Sequence, residues 1–295
     1  MPLTDSMGGI FVPHERKNME EIDLKKHAFH FKKQFGQNFI TDPNLLDAIV
    51  RDAGLGGEET VLEIGAGAGT LTRALAKQAK RVVAYEIDKS LQPVLAETLA
   101  GCDNAEVVFR DFMKEKLPAL EKELGEYFVV ANLPYYITTP VVMRFLEEAN
   151  NCRGITVMVQ EEVAERFCAA AGTAEYSAIT AAIALRGTCR MTRRVPRTVF
   201  IPHPNVDSAV VKITFEEGRI PVLSKTAYRE AVRTAFLSRR KTLENNLMSA
   251  FRLSRPQAKD ILAAAGVQEN ARGETLSPEQ FARLADLLVE RGICK

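Results

Sequence analysis

From Val61 onward the chain alternates short β-rich runs with helical patterns, and the first strand runs straight into a glycine-rich turn. This alternation constrains the fold more than any other feature, because strands separated by helices pair in parallel and need cover on both faces. Val61–Ile64 is predicted as a strand, Leu71–Ala79 as a helix, Val82–Ile87 as the second strand and Lys89–Leu99 as the next helix. Val107–Phe109, Phe128–Ala131 and Ile155–Val159 continue the series of strands, with a helix opening at Glu161. Thr139 followed by Pro140 reads as the cap and first position of the helix after strand four. Ile179–Leu185 and Ala209–Phe215 read as two last strands, forming an antiparallel hairpin.

After Phe215 the segment Glu216–Pro221 breaks the pattern, and the chain from Lys225 is helical. Ser254 with Gln257 and Ser277 with Gln280 have capping-box spacing, which signposts two helix starts. The expected architecture is α/β: a Rossmann-like, mostly parallel seven-stranded sheet followed by a small all-helical domain. Its expected divisions are a flexible polar lead-in over residues 1–30, a sheet domain over 31–217 and a helical domain over 218–295.

Composition serves mainly to exclude. Apolar residues at 46% and charged residues at 26% are ordinary globular usage, and no apolar run approaches the roughly 18 residues of a membrane span. The first thirty residues lack the apolar core of a signal peptide, and no function attaches to them. The five cysteines, Cys102, Cys152, Cys168, Cys189 and Cys294, are odd in number and show no CxxC spacing. That pattern points to reduced thiols in a cytoplasmic protein, with neither a disulfide framework nor a bound metal.

The net charge of +1 is uninformative, but its distribution is not. From Arg219 to Lys295 there are 14 basic against 8 acidic residues. Lys25, Lys26, Lys32 and Lys33 cluster near the start, and Arg186, Arg190, Arg193, Arg194 and Arg197 follow one another with no acid between them. Clustered cations on a balanced chain are the footprint expected for a nucleic-acid backbone, or simply a solvated face.

Between the first strand and the first helix lies Glu63-Ile64-Gly65-Ala66-Gly67-Ala68-Gly69. Glycines here let the backbone turn tightly and approach a ligand at the carboxyl edge of the sheet, where open α/β folds bind. Glu63 would repel a pyrophosphate but suits a sulfonium, which favours S-adenosylmethionine over a dinucleotide and makes this a class I methyltransferase fold. Glu86, ending strand two, is placed to accept both ribose hydroxyls, and Asp111, after strand three, to accept the exocyclic amine of the adenine. Singly, Glu86 is also readable as a surface acid and Asp111 as a helix cap; in order at three strand ends, they point to one crevice.

Strand four is followed by Asn132-Leu133-Pro134-Tyr135-Tyr136. An adenine N6 amine is a poor nucleophile because its lone pair is delocalised into the ring. The Asn132 amide oxygen and the Leu133 carbonyl, with Pro134 fixing the backbone between, could accept its two hydrogens and favour a pyramidal amine. Tyr135 is placed to stack on a base that has left its own stack. Catalysis of this kind is mostly positioning, with no strong base required.

With these residues assembled, the chain from about Lys32 to its end resembles the KsgA family of small-subunit ribosomal RNA adenine-N6 dimethyltransferases. The likeness rests on Phe35-Gly36-Gln37-Asn38-Phe39, Asn132–Tyr136, Val159–Arg166, Phe200–Ala209 and Phe236–Leu243. It implies that Asn38 and Ile40 lie over S-adenosylmethionine, and that Gly65, Gly67, Glu86, Asp111 and Asn132 complete the pocket. It further implies Phe200 as a second stacking partner, and methylation of two adjacent adenines in a hairpin near the 3′ end of small-subunit rRNA, late in assembly of a 30S-type particle. Arg193, Arg194, Arg239, Arg240 and Lys241 are the candidate RNA contacts, the last three in an Arg-Arg-Lys-Thr-Leu helix, and a monomer is expected. Arg110 stands where the family often carries Gly. Leu133, where DNA adenine methyltransferases tend to have Pro, suggests room for a monomethylated amine to rebind. Two other readings stay open: a resistance-type methyltransferase of large-subunit rRNA, and a non-catalytic nucleic-acid-binding assembly factor.

Overall fold

The protein is described by a computed structural model over residues 36–295; the lead-in of residues 1–30 and the cluster Lys25, Lys26, Lys32 and Lys33 lie outside the described residues. In chain order the elements are β1 (Phe39–Ile40), α1 (Pro43–Ala53), β2 (Thr60–Ile64), α2 (Thr70–Ala76), β3 (Arg81–Tyr85), α3 (Gln92–Thr98), β4 (Ala105–Val108), α4 (Leu117–Leu124), β5 (Tyr127–Asn132) and α5 (Tyr135–Glu148). There follow β6 (Cys152–Gln160), α6 (Glu161–Phe167), α7 (Ala178–Arg186), β7 (Gly187–Val195), β8 (Phe200–Ile201), β9 (Ser208–Phe215), α8 (Lys225–Ala235), α9 (Leu243–Phe251), α10 (Arg255–Ala264) and α11 (Pro278–Glu290).

Seven strands form one sheet in the order β4-β3-β2-β5-β6-β9-β7. It is parallel from β4 to β6 and antiparallel where β9 joins β6 and β7. Val61, Leu62, Val129, Val130, Val157, Val210 and Val211 are fully buried, as strands covered on both faces require. One face packs on α1 and α2 through Leu46, Ile49, Leu71 and Leu75, the other on α4 to α7 through Leu117, Phe145, Phe167 and Ile183. A mostly parallel seven-stranded sheet is thus what the alternation predicts. No helix among the described residues is long and apolar enough to cross a membrane.

Two predicted elements are corrected. The helix after β5 begins at Tyr135, capped by Pro134, so Thr139 is no cap and Pro140 lies inside the helix. The start is supported by the Thr138 hydroxyl donating to the Pro134 carbonyl at 3.2 Å. The hydrogen bond that Pro140 removes would have gone to the carbonyl of Tyr136, a residue 62% exposed, so the proline falls at the wet end of the helix. Ile179–Leu185 is not a strand but lies within α7, which opens on a Ser177/Thr180 capping box. The first strand of the antiparallel end is Gly187–Val195 instead.

The reason for the second error is packing. Ile179, Ala182 and Ile183 face the sheet core, while Ala181 and Leu185 belong to a second core built by α8 to α11. A helix buried on both sides has no polar face, so its 3.6-residue period vanishes from the sequence. The second core centres on Tyr228, Phe281 and Leu284, and it also takes Tyr176 from the segment before α7. Both predicted capping boxes, at Ser254/Gln257 and Ser277/Gln280, open α10 and α11.

Candidate active site

A cavity of about 260 Å³ opens at the carboxyl ends of β2, β3, β4 and β5, beside the point where the sheet order runs from β2 to β3 on one side and to β5 on the other. Asn38, Ile40, Gly65, Gly67, Glu86, Asp111, Asn132, Leu133, Pro134 and Tyr135 all line it. Parallel strands and their short following turns bring together residues as far apart as 38 and 135.

The glycine turn is shaped for close approach. Gly65 and Gly67 have φ of 80° and 57°, in the left-handed region. A Cβ at Gly67 would meet the Phe39 ring at 3.0 Å, and one at Gly65 would enter the gap facing the Asn132 carbonyl and Pro134 at 3.9 Å. Phe39 arrives there because β1 pairs with β8, Phe39 opposite Ile201 and Ile40 opposite Phe200. Gln37 adds a tie from its amide to the Asp88 carboxylate at 3.0 Å. The segment around Asn38 therefore closes over the cavity from outside the sheet.

The acidic side is buried. Glu86 accepts from the Gly67 N–H at 2.8 Å and from the Asp88 N–H at 2.7 Å, so its carboxylate is aimed by backbone. Burial pushes its carboxyl above the ordinary range, opposed by those two donors. Glu63 is 1% exposed, and its Oε2 has no hydrogen-bond partner among the described residues. Burial pushes the Glu63 carboxyl up to about 8, with the neighbouring Glu86 charge adding to the effect. Such an orphaned oxygen on a cavity wall fits a cationic or proton-donating ligand.

The Glu63 shift sets a pH dependence. A carboxyl whose folded pKa is raised contributes stability that is full below its unfolded value, 4.5, and lost as pH rises through about 8. Thermal denaturation of ligand-free protein should show the wild type losing stability relative to Glu63→Gln across that window. A difference that stays flat from pH 5 to pH 8 would contradict the buried, protonated acid.

Asp111 caps the short helical turn Phe112–Lys114, its Oδ1 accepting from the Met113 N–H at 3.0 Å. Both readings of this residue therefore coexist: it caps, and its carboxylate also lines the cavity. Arg110 introduces no strain, since among the described residues Arg252 is the one non-glycine with positive φ.

At the end of β5, Asn132 lines the cavity and donates from Nδ2 to the Asn38 carbonyl at 3.0 Å, which leaves Oδ1 as the acceptor of its amide. Tyr135 is half-buried, and its hydroxyl is 2.8 Å from the Ser208 Oγ on β9. Burial pushes its phenol above the ordinary range. Tyr136 stands at the rim, 62% exposed, a lining residue the sequence reading left unassigned.

Several predicted roles do not survive the geometry. Phe200 is 1% exposed, packed with Ile40, Val195 and Val199 behind β1, and does not line the cavity; its buried ring offers no stacking face. Leu133 is 1% exposed and belongs to the sheet core while also lining the cavity. Arg193 is taken by Asp52, at 2.7 and 2.8 Å. Arg194 pairs with Glu161 at 2.9 Å but keeps 70% of its side chain exposed. The arginine run is thus no single patch: on β7, neighbouring side chains leave opposite faces of the sheet.

Arg239, Arg240 and Lys241 lie in the turn between α8 and α9, not in a helix. Arg239 donates to the carbonyls of Ala174 and Tyr176, tying this turn to the segment before α7. Arg240 and Lys241 are exposed.

Comparison with known proteins shows the family. Residues 28–290 match the family profile described as ribosomal RNA adenine dimethylase. The chain is 42% identical over 274 residues to ribosomal RNA small subunit methyltransferase A of Geobacillus thermodenitrificans, covering 90% of this chain and 94% of that protein. Against the Bacillus mycoides protein of the same name it is 43% identical over 291 residues, 96% of this chain and 98% of the relative. Among solved structures, a dimethyladenosine transferase from Plasmodium falciparum aligns with a TM-score of 0.74 at 25% identity, over 86% of this chain and 98% of that one. The 23S rRNA methyltransferase ErmE aligns at 0.66 and 31% identity, over 85% and 99%. With matches over nearly its whole length, the chain belongs to the ribosomal RNA adenine dimethylase family.

Proposed function

We propose that the chain transfers methyl groups from S-adenosylmethionine to the N6 amines of two adjacent adenines in a hairpin near the 3′ end of small-subunit rRNA. The product is N6,N6-dimethyladenine, formed by a monomeric, cytoplasmic enzyme acting on a late 30S-type particle. The observation that carries the reading is the pinned amide of Asn132, its nitrogen committed to the Asn38 carbonyl on a residue that lines the cavity together with Tyr135.

S-adenosylmethionine, when bound, supplies an electrophilic methyl carbon on a sulfonium. Glu86 accepts from the ribose hydroxyls with its remaining lone pairs, Asp111 accepts from the adenine amine, and the buried Glu63 presents its orphaned oxygen to the positive end of the ligand. Asn132 Oδ1 and the Leu133 carbonyl accept the two hydrogens of the target amine, which frees its lone pair for attack. Tyr135 stacks on the flipped base, its ring held by the contact to Ser208. The surplus proton leaves to solvent, since a methylated N6 cation is acidic. The residues act by positioning, which can supply roughly 7–11 kcal/mol of a barrier in favourable cases.

The test is to incubate the protein with labelled cofactor and under-methylated small subunits, then map the modified bases. Two neighbouring dimethyladenines are expected. Label on large-subunit rRNA would support the alternative that the likeness to ErmE raises, and no cofactor binding at all would favour a non-catalytic assembly factor.

Docking on the particle falls to the exposed turn between α8 and α9. Reversing Arg240 and Lys241 to Glu should weaken small-subunit binding and lower the slope of log affinity against log salt by about one per lost phosphate contact. An unchanged slope in a salt titration would place the RNA elsewhere.

A further inference from the structure

Arg144 lies in the third turn of α5, the helix that begins directly after Asn132-Leu133-Pro134. Its side chain is only 11% exposed. The guanidinium donates from Nη1 to the Phe112 carbonyl at 2.8 Å and from Nη2 to the Glu115 carbonyl. It also lies over the Phe112 ring, 5.3 Å from the centroid, while Phe145 stacks on that ring at 5.6 Å and 20°. Phe112 is 4% exposed and follows Asp111 directly.

These contacts have a specific meaning for the turn Phe112–Lys114. A short helical turn leaves donors unsatisfied at its start and carbonyls at its end. Asp111 caps the start; Arg144 gives the Phe112 carbonyl, which already accepts from the Glu115 N–H, a second donor, and caps the far end through the Glu115 carbonyl. Exposure alone would leave such a three-residue turn free to move, because one or two hydrogen bonds barely offset the ordering entropy. Between the two caps, the Phe112 ring is clamped against α5. Asp111 is therefore held from the helix that directly follows Asn132-Leu133-Pro134.

We propose that Arg144 is a positioning residue for the methyl-donor site: by capping the far end of the turn that Asp111 opens, it holds the Asp111 carboxylate where it reads the amine of the donor's adenine. The inference rests on the reading of Asp111 as the adenine acceptor. It makes Arg144 a determinant of base discrimination although it does not line the cavity.

The experiment compares affinities for S-adenosylhomocysteine and its deaminated analogue S-inosylhomocysteine, measured by calorimetry. The analogue presents an oxygen where the adenine has an N–H donor, so a fixed carboxylate should prefer the adenine form by on the order of 10- to 100-fold. Arg144→Met should bring that ratio at least severalfold closer to one and raise KM for the donor with a smaller change in kcat, while Arg144→Lys should keep part of the preference. Partial unfolding lowers both affinities together and leaves the ratio untouched, so a purely structural role predicts an unchanged ratio. If Arg144→Met does not fold, Arg144→Lys carries the comparison. Asp111→Ala is the control: if it erases the preference and neither Arg144 variant shifts it, the positioning role is overturned. If Asp111→Ala itself leaves the preference intact, the adenine reading has failed, and the inference with it.

Discussion

Asn132→Ala is expected to lower kcat/KM by on the order of 10³, the scale seen when one preorganised hydrogen-bonding group is removed from an active site. Affinity for RNA should stay within about a factor of three, because the residue is a partly covered group at the end of β5 and offers no charge to a phosphate. Two features concentrate the effect in this one side chain. Its backbone is fixed by pairing opposite Met158 on β6, and its amide nitrogen is committed to the Asn38 carbonyl. The remaining oxygen is preorganised and needs no reordering at the moment of transfer. Asn132→Asp should be nearly as poor, since a carboxylate oxygen would replace the donor that faces the Asn38 carbonyl and be repelled from it. Single-turnover methylation of under-methylated small subunits, alongside a binding isotherm, separates the two quantities. Near-normal turnover by Asn132→Ala would remove the residue from the reaction.

Glu86→Ala carries the second large effect, and here stability and affinity move together. The substitution removes the proposed ribose acceptor and also orphans two backbone donors, the N–H groups of Gly67 and Asp88. Each buried donor left without a partner costs about 1–3 kcal/mol. The rest of the glycine turn is held by the Gly65 and Ala66 N–H groups on the Tyr85 carbonyl and by Gly69 on Ala66, so the loss falls on Gly67 and Asp88. Donor affinity is expected to fall at least 100-fold, about 2.7 kcal/mol or more, with a lower melting temperature of the ligand-free protein. Glu86→Gln should hurt affinity less, because it keeps one acceptor. Calorimetry with S-adenosylhomocysteine and a thermal melt check both parts; an affinity within a few-fold of wild type for Glu86→Ala would show that the ribose is held elsewhere.

What was legible in the chain follows from how locally each signal is written. Strand ends followed by short turns project functional side chains onto one edge, so Gly65, Glu86, Asp111 and Asn132 could be gathered from order alone. The two C-terminal capping boxes were readable because a cap is a contact across three residues. The helix α7 was not, since its pattern reflects two cores that surround it and not its own propensity. Neither was the fate of the arginines. Arg193 meets Asp52, 141 residues away, and Arg239 meets carbonyls more than sixty residues distant. Charge spacing along the chain carries no record of such partners.

The sequence by itself determined the alternating α/β order, the glycine turn, the acids at the strand ends and the amide at the end of β5, all set by local geometry and period. Tertiary structure decided which of these groups is free to act. It placed Phe39 and Ile40 over the cavity through pairing with Phe200 and Ile201, and in doing so buried the Phe200 ring that was expected to stack. It occupied the Asn132 nitrogen with the Asn38 carbonyl and left the oxygen as the amide's acceptor. Long-range pairing and burial act on residues distant in the chain, and so only the folded molecule could make those choices.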